Sequence, residues 1–109
     1  MAKFLQRPNE RIIGHGMMAY YHRPYGANVH TASGTMYVTD QRVCFYESMI
    51  GIAHMELPLE QVRGFVVSRM LFFTRVTIYS REGVGYPFTG FPVKKLQDWL
   101  RQVGIRQER

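Results

Sequence analysis

The residues best able to do chemistry in this chain are four histidines, two aspartates and one cysteine, and their spacing gives them little to do together. His15, His22, His30 and His54 show no metal-ligand spacing, and His54 falls inside a β-rich run, so no metal is expected. Asp40 sits in a turn pattern and Asp98 on a helical one. Cys44 alternates with strand neighbours and has no motif that would activate a thiolate. No nucleophile elbow, phosphate-cradling loop or zinc-protease motif occurs, and Gly83-Val84-Gly85 reads as a turn. These residues point to neither an enzyme nor a cofactor-binding protein.

Binding chemistry is better represented. In Ser68-Arg69-Met70-Leu71-Phe72-Phe73-Thr74-Arg75, four apolar residues stand between two arginines where one strand should hand over to the next. At a hairpin tip such residues are exposed and costly unless used. Arg69, Met70, Leu71, Phe72, Phe73 and Arg75 are therefore candidates for contact with a partner or a membrane. The competing arrangement starts the next strand at Phe72, turning one ring to the core and setting the other beneath a helix. A second candidate is the loop from His22 to His30, where His22, Arg23, Tyr25 and His30 could hold a small anionic group or an acidic peptide. Its composition is equally that of an ordinary turn.

The elements that would position these residues follow from periodicity. A chain of 109 residues has room for one core, expected as a single domain over 1–109 with its centre at about 9–104. Fourteen Tyr and Phe residues, with many Val, Ile and Thr, favour strands. Apolar or alternating runs recur over 12–21, 34–39, 42–47, 52–57, 62–68, 75–80 and 84–89, with turn residues between them. Asp40-Gln41 joins two of these as a hairpin whose alternation gives one apolar and one mixed face. Pro87 cannot donate to a ladder, which marks 84–89 as an edge strand open to strand addition. After Pro92 the period changes, and Val93, Leu96, Trp99, Leu100 and Val103 fall on one helical face, stopped by Gly104. Trp99 is expected to seal the β-walled interior.

The run Gly34-Thr35-Met36-Tyr37-Val38-Thr39-Asp40-Gln41-Arg42-Val43-Cys44-Phe45-Tyr46 resembles the hairpin of the GRAM and bacterial pleckstrin-homology-like families. Glu56-Leu57-Pro58-Leu59-Glu60-Gln61-Val62 is similar to their step into the following strand. The resemblance implies a mainly β, pleckstrin-homology-like partly open barrel. Six to seven antiparallel strands would form two near-orthogonal sheets, capped by one C-terminal helix. It also implies a non-enzymatic module that binds proteins, lipids or copies of itself. Phosphoinositide-binding members carry a basic motif on the first two strands. Here His22, Arg23 and His30 are followed by the uncharged run Thr31 to Met36, so the resemblance brings no such site to that loop.

Eleven Arg and three Lys give a net charge of +6, compatible with a membrane face, a nucleic acid or an acidic protein. Homo-oligomerisation or protein docking is the leading expectation, with peripheral binding to an anionic membrane as the alternative. An OB-like nucleic-acid binder comes third, with Tyr37, Tyr46 and Tyr79 as stacking platforms. One cysteine, no apolar leader and no membrane-spanning run lead to a cytoplasmic expectation, with peripheral membrane association open to it.

Overall fold

The computed structural model describes residues 4–22, 30–48, 51–69 and 71–108. Its strands are β1 (Ile12–His22), β2 (His30–Thr39), β3 (Arg42–Glu47), β4 (Ala53–Pro58), β5 (Val62–Arg69), β6 (Thr74–Ser80) and β7 (Gly85–Thr89). Helix α1 (Val93–Gln102) follows, then a two-residue strand, β8 (Gln107–Glu108). The order across the sheet is β4-β3-β2-β1-β7-β6-β5-β8, so β4 and β8 are its two unjoined ends. This is a pleckstrin-homology-like, partly open barrel with one C-terminal helix.

Alternation builds the interior. Met18, Met36, Val38, Val43, Phe45 and Met55 bury from one part of the sheet, and Phe65, Val76, Ile78 and Phe88 from the other. The Asp40-Gln41 connection sets Met36 opposite Phe45 and Val38 opposite Val43, which puts both apolar sets on one face. β1 is long enough to serve both parts, pairing with β2 along its length and with β7 at Ala19 and Tyr20.

Helix α1 closes the open side. Val93, Leu96 and Leu100 are buried, while Trp99 is half-buried with its ring against β1. A Cβ at Gly14 would stand 2.1 Å from that ring, and one at Gly16 would meet Pro92 at 3.1 Å. The two glycines inside β1 are what let the helix approach its backbone.

Besides β8, which adds an eighth strand parallel to β5, two features differ from the sequence reading. The run 84–89 is not an edge: β7 is paired with β6 along its length and with β1 at Thr89 and Phe88. Pro87 is accommodated because the β1 ladder stops at Phe88, leaving Pro87 opposite Thr77 on β6 alone. The second is a strap formed by residues 4–10. A hydrogen bond from Glu10 N to Arg7 O closes a turn with Pro8 at its second position and Asn9 at φ 62. That turn buries Glu10 against Arg42, whose Nε lies 2.8 Å from Oε2 and whose Nη2 lies 3.0 Å from Oε1. Thr39 Oγ1 and Arg7 N also donate to this carboxylate, and Arg42 Nη2 donates to Leu5 O. Phe4 stacks on Tyr37 at 4.0 Å and lies over the Arg42 guanidinium.

Candidate functional site

At one end of the barrel two turns stand side by side. The first joins β5 to β6 and carries Leu71, Phe72 and Phe73; the second joins β7 to α1 and carries Gly90 and Phe91. β6 begins at Thr74, so Phe72 and Phe73 precede the strand rather than open it. Leu71, Phe72 and Phe91 are 87%, 89% and 103% exposed, whereas Phe73 leans towards Tyr21 and is 39% exposed. Gly90 has φ 138, and a Cβ there would crowd the Met18 backbone at 3.3 Å. The chain thus crosses close over β1, and the residue between Gly90 and Pro92 has no interior to enter.

Phe73 and Phe91 border both of two depressions at this end. On the outer face is a shallow depression of about 460 Å³ that includes Met17 and Tyr21. Between the β5–β6 turn and the start of α1 lies a cleft of about 630 Å³. Val67 and Val93 contribute apolar surface to this cleft, Arg69 and Lys94 supply charge, and Gln97 adds an amide. Among the described residues lining it there is no carboxylate. Helix α1 opens with Lys94 and Lys95, has no acidic residue in its first turn and receives no side-chain cap. Two cations at the positive end of a helix are the less favourable arrangement, and a nearby anion would relieve it.

The residues expected from the apolar run are only partly brought together. Arg69 borders the cleft with Phe72 and Phe73. Arg75 is instead half-buried on the outer face, its guanidinium 5.0 Å from the centre of the Tyr21 ring and its Nε without a hydrogen-bond partner. Met70 lies outside the described residues, as do Arg23 and Tyr25 of the second candidate loop. His22 and His30 form the last backbone pair of the β1–β2 ladder. Sequence reasoning missed Phe91, Met17 and Lys94. A large aromatic between Gly90 and Pro92, with no strand or helix to bury it, was the available signal for the first of these.

Other chemical groups are already engaged. Tyr37 lies under Phe4, Tyr46 donates to Glu56 at 2.8 Å, and Tyr79 lies under Arg63, so the three outward tyrosines all have neighbours on them. Burial pushes the Cys44 thiol up to about 12, which removes its nucleophilic form. Glu47 pairs with His54 at 2.6 Å beside Tyr20. Among the described residues no group of three or more potential metal ligands occurs, and no helix is long and apolar enough to cross a membrane.

Residues 1–93 match the family model described as GRAM domain. No curated protein matches the chain in sequence. Among solved structures, the N-terminal PH domain of Vps36 is similar with a TM-score of 0.70 at 14% identity, covering 91% of this chain and 83% of that one. The C-terminal domain of an unknown protein from Leishmania infantum gives 0.69 at 10% identity, covering 88% and 86%. The hSac2 domain of the human phosphoinositide phosphatase Sac2 gives 0.57 at 11% identity, covering 94% and 80%. At these identities the likeness is one of fold.

Proposed function

This chain belongs to the GRAM domain family, and we propose that it works as a single peripheral membrane-binding domain that docks on anionic lipid through the two-turn end of its barrel. GRAM and PH-like domains are binding modules, often for lipids or proteins, and are generally non-catalytic. The observation that carries the membrane reading is that Phe72 and Phe91, both almost wholly exposed, border the same cleft as Arg69 and Lys94. Aromatics on turns, flanked by cations, suit an interface that is apolar at its centre and negative at its surface.

Magnitudes are consistent with weak, reversible attachment. A fully buried Leu or Phe contributes ~1.5 to 3 kcal/mol, so half-burying three of them yields on the order of 2 to 4 kcal/mol. Each of the two cations adds about 1 kcal/mol near an anionic leaflet. The total is comparable to the ~10⁴ M⁻¹ attachment of a single myristoyl chain.

Self-association through the same end is the second reading, supported by the apolar area there. It is less favoured by charge. A two-fold interface sets a patch against itself, so two cation-bearing patches would be brought together with no carboxylate among the described residues of the cleft. The test is co-sedimentation with neutral and with anionic vesicles, alongside light scattering of the free protein. The membrane reading expects a monomer that pellets with anionic vesicles, less so as salt rises, and a Phe72→Glu/Phe91→Glu variant that stays in solution. A stable dimer that this variant breaks, with no vesicle binding by the wild type, would favour self-association instead.

A further inference from the structure

Resting on that membrane reading, we infer that the cleft between the β5–β6 turn and α1 selects a lipid whose headgroup is a bare phosphate monoester, phosphatidic acid, over phosphatidylserine and phosphorylated inositides. Arg69 from the end of β5 and Lys94 from the start of α1 both line the cleft, with the Gln97 amide and the Thr74 and Thr89 residues, and no described lining residue is acidic. A serine, ethanolamine or choline headgroup brings an ammonium as well as a phosphate, and in this cleft that ammonium would meet two cations and no carboxylate. A phosphate monoester brings acceptor oxygens and negative charge alone. A guanidinium fork suits it geometrically and a lysine serves as a point charge beside it.

Depth also favours phosphatidic acid. Arg69 and Lys94 share the cleft with Phe72 and Phe91, the side chains that would enter the acyl region. A phosphate bound there lies near the glycerol level. Phosphatidic acid carries its monoester at that level, whereas a phosphorylated inositol carries it across a sugar ring, farther into solvent. The walls are also unlike a purely electrostatic patch. Val67 and Val93 give the cleft apolar surface, so a bound headgroup is partly desolvated and its contacts with the two cations strengthen.

The experiment is co-sedimentation with phosphatidylcholine vesicles containing phosphatidic acid, phosphatidylserine or a monophosphorylated inositide, adjusted to equal surface potential. Wild type is expected to bind the phosphatidic acid vesicles about tenfold more tightly than the other two, the scale of one charge-assisted contact. Arg69→Gln and Lys94→Gln should each weaken phosphatidylserine binding about fivefold, the loss of one cation at an anionic leaflet, and weaken phosphatidic acid binding further, so that the tenfold preference between the two disappears. Equal binding of wild type to all three anionic vesicles overturns the selectivity and leaves the membrane reading standing. A preference that survives in both variants overturns the assignment to this cleft. If wild type binds no vesicle, the membrane reading fails and this inference fails with it. Far-ultraviolet circular dichroism of the two variants confirms that any loss is not one of folding.

Discussion

Two regions of this molecule are built from the same residue types and end in opposite states. In the strap, Phe4 and Arg42 are brought together, and every strong group near them has a partner: the guanidinium has Glu10, Glu56 and the Leu5 carbonyl, and the ring has Tyr37. At the two-turn end, Phe72, Phe91, Arg69 and Lys94 are also brought together, yet the rings face solvent and the cleft beside the cations has no carboxylate among its described lining residues. Composition does not separate a cluster closed within the chain from one left open to solvent. What separates them is whether the chain supplies the acceptor and the cover, or leaves both to something outside.

The largest effect should come from opening the closed region. Glu10→Ala strips a buried arginine of its bidentate partner and is expected to cost ~3 to 5 kcal/mol, read by chemical denaturation. The same carboxylate gives a pH signature. The Arg42 hydrogen bond holds Glu10 well below its ordinary 4.5, at about 2. A depressed folded value means this contribution is fully present above about pH 4.5 and is lost as pH falls towards 2. Stability of the wild type should therefore decline with acid across that window, more steeply than that of Glu10→Gln. A parallel decline in the two would show that the pair does not govern acid stability.

Next in size is Gly14→Val, which forces a side chain into the space of the Trp99 ring and should cost ~1 to 3 kcal/mol, again by denaturation. The open region should respond oppositely. Phe72→Glu/Phe91→Glu is expected to move stability by no more than ~0.5 kcal/mol per site while removing vesicle binding. A large loss of stability there would mean that the exposed rings are packing groups after all. Smallest is Cys44: being fully buried, with its thiol pushed up to about 12, it should react with thiol reagents only as fast as the protein unfolds.

Much of the fold was legible because its signals are local. The alternation around Asp40-Gln41 fixed the hairpin, and the helical spacing from Val93 to Val103 fixed the closing face. What was not legible depends on contacts distant in sequence. Glu10 and Arg42 are 32 residues apart, and nothing in periodicity links them. The interior position of β7 was hidden because Pro87 suggests an edge, and the place where the β1 ladder stops cannot be read from one strand. The parallel pairing of β8 with Phe65 and Val66 is too short to leave a pattern. The site was half legible for the same reason. The apolar run between Arg69 and Arg75 announces its turn, but Phe91 and Lys94 join it through tertiary placement alone, and Arg75 leaves it by stacking on Tyr21.

If the open end meets an anionic lipid surface and the strap does not, hydrogen exchange with and without anionic vesicles will separate the two regions. Amides of Leu71 to Phe73 and of Gly90 to Lys95 should slow when vesicles are added, and those of residues 4–10 should be unchanged. Unchanged exchange at both turns, or slowing confined to the strap, would contradict contact of the open end with lipid.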